Sequence, residues 1–106
     1  MARPVVWTHE AVSDLEAIAR YIARDSISYA AAVVRELLDA GNSLDSLALR
    51  GRIVPETRLS AIRELLVRDY RLIYRVEKAR IVIVTVVHGR RDLRRRLSKP
   101  GRGGKG

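Results

Sequence analysis

The chain has 106 residues, 47% of them hydrophobic, no cysteine and a formal net charge of +9. That size and composition predict one globular domain, and the missing cysteines exclude disulfide scaffolds, thiol nucleophiles and thiolate-bound zinc. His9 and His88 are the only histidines, too few for a histidine metal site. Apolar runs such as Ile81–Val84 are far too short to span a bilayer, so a cytoplasmic protein without cofactor or metal is expected.

Pro4-Val5-Val6-Trp7 reads as a short first strand, with Thr8 as an N-cap and Glu10 in the first turn of the helix that follows. Ala11, Leu15, Ile18, Ala19 and Ile22 recur at three- and four-residue steps, which predicts a helix with one buried stripe. Asp25 and Ser26 interrupt it and either can cap a second helix. That helix carries the stripe Ala30, Val33 or Val34, Leu37, Gly41 and Leu44. Gly41 costs about 1 kcal/mol of helix propensity relative to Ala, so it marks either a close approach of another element or an early break.

Arg50-Gly51-Arg52 and Pro55 end the helical pattern. Residues 62–67, 70–77 and 80–88 are rich in β-branched and aromatic residues, and the connections at Arg68-Asp69 and Lys78-Ala79 are tight. They predict a three-stranded antiparallel meander. In its middle strand Tyr70, Leu72, Tyr74 and Val76 share one face, with Arg71, Ile73, Arg75 and Glu77 on the other. The last strand is apolar on both faces, Ile81, Ile83 and Val87 opposite Val82, Val84 and Val86, which suits an interior position. Residues 1–98 are taken as the domain, and 99–106 as a disordered, basic, Gly-rich tail. The fold class expected is α+β, with an N-terminal strand, a helical hairpin and a meander packed on the helices.

The charge is uneven. Residues 1–49 hold 4 basic and 7 acidic side chains, whereas residues 50–106 hold 17 and 5. Such a split suggests a surface for a polyanion or an acidic partner. Arg63, Arg71, Arg75, Arg90, Arg91, Arg94 and Arg95 are the candidate anion- or target-binding residues. Arginines on residues 70–76 suit either cross-strand ion pairing with Glu64 or Glu77 or anion recognition. Leu93 and Leu97, four apart among the arginines, suit a short helix with a small apolar edge.

The order strand, helical hairpin, meander is joined by particular residues. These are Trp7, then Ala11, Leu15, Ile18, Tyr21 and Ile22 in the first helix, and Gly51-Arg52 before Pro55. Arg63-Glu64-Leu65 leads into Tyr70-Arg71-Leu72-Ile73-Tyr74-Arg75-Val76, and the segment closes on His88-Gly89-Arg90-Arg91-Asp92-Leu93. Together they resemble the RelE/ParE superfamily of toxins from type II toxin–antitoxin systems, over roughly residues 4–93, closest to its ParE-like branch. The resemblance implies a toxin that binds DNA gyrase and stabilises cleaved DNA, a protein–protein inhibitor rather than an enzyme. It also implies a cognate antitoxin, with a hetero-oligomeric complex, covering Leu15, Ile18, Ile22, Val34, Leu37 and Leu38 on the helical hairpin.

The alternative implied is a ribosome-dependent mRNA endonuclease acting with the 70S ribosome. Metal-independent cleavage through the 2′-hydroxyl needs a base, an acid and cations around the phosphate. His88, Glu64 and Arg75 are the candidates for these catalytic roles, and a strand-end hydrogen bond to Asp92 is the structural role His88 would otherwise have. Gly89 follows His88, no Tyr follows Tyr74, and no Lys occurs between residues 1 and 77; relatives that cut mRNA commonly carry such residues, so their absence weakens this alternative. A third reading is an inactive toxin fold serving in the antitoxin complex and its autoregulation.

Overall fold

A computed structural model describes residues 2–90 and Leu93. The polypeptide forms strand β1 (Val5–Trp7), helices α1 (His9–Ala23) and α2 (Ile27–Asn42), then a short 3-10 turn over Ser43–Asp45. Strands β2 (Arg52–Ile53), β3 (Ile62–Val67), β4 (Tyr70–Val76) and β5 (Ile81–His88) follow. The expected α+β fold is present, with the sheet extended at both sides of the meander. The five strands lie in the order β1-β5-β4-β3-β2. β1 runs parallel to β5, while β2 pairs antiparallel with β3. Arg52, read as part of a break, thus belongs to an edge strand two residues long.

Both helix starts are set by side-chain caps. The Thr8 hydroxyl accepts from the Ala11 amide at 3.0 Å, and the Ser26 hydroxyl from Tyr29 at 3.1 Å, each satisfying an N–H that has no partner within its helix. Of the two possible caps of α2, Ser26 is the one used. Ala11 and Leu15 from α1 and Val33 and Leu37 from α2 pack on Leu65, Leu72, Tyr74, Ile81, Ile83 and Val86 of the sheet. Burial of this surface is the main stabilising contribution. Val33 is the buried member of the Val33–Val34 pair.

Gly41 does not break α2; it lets Trp7 approach. A Cβ built there would stand 2.4 Å from Trp7 Cζ2, and the indole N–H donates to Asn42 Oδ1 at 3.0 Å. Gly51 is placed by similar crowding. Its Cβ would lie 2.5 Å from the Glu64 carbonyl oxygen, and its amide donates to the Tyr74 hydroxyl, which donates to the Ala48 carbonyl, both at 2.8 Å.

The alternation expected for β5 is corrected at one point. Ile73 pairs with Thr85 but Tyr74 pairs with Ile83, leaving Val84 as an extra residue. This β-bulge reverses the phase: Val86 joins Ile81 and Ile83 in the helix-side core, while Val87 packs with Ile73, Val54 and Leu93 on the opposite face. Asp14 of α1 supports the irregularity, accepting from the Thr85 hydroxyl and from the Val86 amide.

Candidate functional site

Cross-strand register divides the candidate residues between the two faces of the sheet. Glu64 lies opposite Arg52 and Ile73, Arg71 opposite Leu66 and Val87, and Arg75 opposite Ile62 and Val82. These share the face away from the helices, because directly paired residues project to the same side. Arg63 pairs with Tyr74 and His88 with Tyr70, which places both on the helix-side face. The three candidates for nuclease chemistry are therefore not brought together: Glu64 and Arg75 point one way and His88 the other.

On the open face the charges are arranged as a ladder. Glu64 is buried, with 0% of its side chain exposed, and its oxygens take Arg52 Nε and Arg71 Nε, the latter at 2.7 Å. Arg71, with 7% of its side chain exposed, also forms a two-pronged pair with Glu56 at 2.8 and 2.9 Å. This geometry is the strong form of a charge-assisted hydrogen bond. Hydrogen bonds from Arg71 hold the Glu56 carboxyl down at about 2, against the desolvation that pushes it upward. The Glu56 pair likewise raises the affinity of Arg71 for its proton, with burial opposing and Glu64 adding to the rise. A buried ion network of this kind is weak evidence for net stability, but removal of one partner is costly.

Two of the other expected anion-binding side chains, Arg63 and Arg75, are also engaged. Arg63 donates to the Ser60 and Gly51 carbonyls, both at 2.9 Å. Arg75 pairs with Glu77 at 2.8 Å, and Arg80 pairs with the same carboxylate at 2.7 Å; hydrogen bonds from Arg80 and then Arg75 lower the Glu77 pKa. Arg90 is exposed, and its amide donates to His88 Nδ1 at 3.3 Å. The ring of His88 meets Tyr70 edge-on, with centroids 5.9 Å apart. Arg91, Arg94, Arg95, Asp92, the expected helix around Leu93 and Leu97, and the tail 99–106 lie outside the described residues.

Of the hairpin residues assigned to antitoxin binding, Leu15 and Leu37 belong to the core, 7% and 0% exposed. Their burial agrees with the buried stripe expected from the apolar period and corrects their assignment to the antitoxin surface, because the sheet already covers them. Ile18, Ile22 and Val34 are half-buried and Leu38 is exposed. Tyr21, Ile27 and Tyr29 add exposed apolar surface to the same hairpin.

Two contributors were missed in the sequence. Glu56 follows a proline in an irregular stretch, where no periodicity points to its partner. Arg68, in the β3–β4 turn at φ 53°, grips Glu36 through two bonds of 2.7 and 2.6 Å and donates to the Tyr29 hydroxyl at 3.1 Å. Its guanidinium also lies over the Tyr29 ring, tying the turn to α2. A shallow groove of about 430 Å³ opens beside it, bordered by Arg52, Leu66, Tyr70, His88 and Arg90. Among the described residues no cluster of three or more His, Cys, Asp or Glu has the arrangement of a metal site, and no described helix is long and apolar enough to cross a membrane.

The chain thus sets a two-helix layer on a mixed sheet and carries an arginine–glutamate ladder on the open face. The sequence profile of the family described as the ParE toxin of the type II toxin–antitoxin system parDE matches residues 5–93. The chain belongs to the ParE toxin family, within the RelE/ParE superfamily. Solved structures that share its fold include two from toxin–antitoxin systems. One is a chromosomal ParDE system from P. aeruginosa, with TM-score 0.68 and 22% identity over 82% of this chain and 96% of that one. The other is the toxin–antitoxin complex RelBE2 from Mycobacterium tuberculosis, with TM-score 0.60 and 22% identity over 83% and 99%. None of the curated proteins compared with the chain matches it in sequence.

Proposed function

We propose that this type II toxin acts in the cytoplasm as a ParE-like inhibitor of DNA gyrase, binding the enzyme and stabilising cleaved DNA. The observation that carries this reading is the state of Glu64. A general base must reach the proton it removes, and this carboxylate is buried between Arg52 and Arg71, with His88 on the opposite face of the sheet. Inhibition by protein–protein binding requires no such constellation.

Charge distribution supports the same direction. Residues 2–90 and Leu93 hold 14 basic and 11 acidic side chains, and most of the acidic ones on the sheet are already paired with arginine. The larger part of the net charge of +9 therefore belongs to the C-terminal stretch, including Arg91, Arg94, Arg95 and Arg96. Such a stretch suits an acidic protein surface or DNA, with strong salt dependence.

We further propose a cognate antitoxin that lays apolar side chains over Ile18, Ile22, Val34 and Leu38 and the neighbouring exposed Tyr21, Ile27 and Tyr29. Both solved relatives come from toxin–antitoxin systems. The deciding experiment adds purified toxin to gyrase and supercoiled DNA, with a translation reaction in which mRNA ends are mapped. Accumulation of cleaved gyrase–DNA complex is the expected result. Codon-phased mRNA cuts with intact supercoiling activity would replace this reading with the endonuclease.

A further inference from the structure

Leu93 is the one aliphatic residue between Gly89 and Arg96, and it immediately precedes three consecutive arginines. It is fully buried, at 0% exposure, in the small apolar cluster formed with Val54, Ile73 and Val87 on the open face of the sheet. Its amide donates to Glu56 Oε2 at 3.4 Å. The same oxygen receives Arg71 Nη1, and a carboxylate oxygen has lone pairs for both donors. One turn supplies the wall and the acceptor of this seat, Val54 and Glu56. That turn is itself closed by the Thr57 and Arg58 amides, which donate to the Val54 carbonyl at 3.1 and 3.0 Å.

We propose that Glu56 and Leu93 form a latch that anchors the start of the basic C-terminal segment to the sheet, with Glu56 as a positioning residue for the arginines that follow. The functional part of this inference rests on the reading that the segment engages gyrase or its DNA. A contact already made at Leu93 leaves less to be ordered there on binding. It also gives a role to the one leucine within an arginine-rich run. Arg71 connects the latch to the ladder, since it holds Glu56 with one end of its guanidinium and Glu64 with Nε.

Hydrogen exchange over residues 88–97 of the full chain tests the latch, with gyrase inhibition titrated in parallel. The wild-type Leu93 amide should be protected. Leu93→Ala and Glu56→Gln should each accelerate its exchange about tenfold or more. Both should raise the inhibitory concentration by a similar factor, and Leu93→Met should restore both readouts. Leu93→Ala leaves every Arg71 ion pair in place, so it decides the matter should Glu56→Gln fail to fold. Exchange of the wild-type Leu93 amide at the rate of an unstructured peptide would overturn the latch. So would rapid exchange in Leu93→Ala combined with wild-type inhibition. A wild-type chain without effect on gyrase would strike the target reading instead, and exchange would still decide the latch.

Discussion

Glu56 and Arg71 face each other as a two-pronged ion pair, Oε1 to Nη2 at 2.8 Å and Oε2 to Nη1 at 2.9 Å, on the sheet face that carries no helix. Arg71 reaches Glu64 through its remaining Nε. One guanidinium on β4 thus satisfies two carboxylates, one from the β2–β3 loop and one from β3.

Arg71→Ala would leave both carboxylates without that partner, one of them wholly buried. Removing one member of a buried pair costs roughly 3–5 kcal/mol, and a loss of this size is expected in urea denaturation. Arg71→Lys should recover only part of it, because an ammonium cannot span both acids. A wild-type midpoint for Arg71→Ala would show the network to be energetically idle.

Acidification should weaken the fold through Glu56. Its folded-state pKa of about 2 lies below the ordinary 4.5, so ionisation favours the folded chain. The contribution is fully present above about pH 4.5 and disappears as pH falls through about 2, on the order of 2–3 kcal/mol in all. Denaturation of wild type and Glu56→Gln should differ most near neutral pH and converge toward pH 2. A gap that stays constant with pH would contradict this assignment.

Gly41→Ala should destabilise the protein although alanine is the better helix former. The added Cβ meets Trp7 Cζ2 at 2.4 Å, and the ring is held by its bond to Asn42. Overpacking costs about 1–3 kcal/mol, more than the ~1 kcal/mol gained in propensity. A lowered melting temperature with altered fluorescence of the single tryptophan is expected.

Tyr74→Phe removes the hydroxyl between the Gly51 amide and the Ala48 carbonyl. The buried amide would lose its partner at a cost of about 1–3 kcal/mol. Calorimetric unfolding should register the loss without a change of fold by circular dichroism.

The helices, the meander and the capping threonine and serine were legible in the sequence because local rules produce them: a three-to-four-residue apolar period, alternation along strands, and a hydroxyl before each helix. Trp7 and Gly41 illustrate the limit. Each residue was noticeable alone, yet their contact joins β1 to the end of α2 across 34 positions of the chain. The Val84 bulge was equally hidden, since a run of valines and isoleucines reads the same in either phase. That one inserted residue decides whether Val86 or Val87 faces the helices.

Charge and fold class came from the amino-acid order by itself, because composition and local periodicity survive without knowledge of what packs on what; the superfamily resemblance rested on particular residues from Trp7 to Leu93. Only the tertiary structure decided that Glu64 and His88 lie on opposite faces and that Val33 rather than Val34 is core. It also decided that Glu56 holds Arg71 and Leu93. Those outcomes depend on strand register and on a loop returning to the sheet, and a pairing between distant segments leaves no periodic trace in either one.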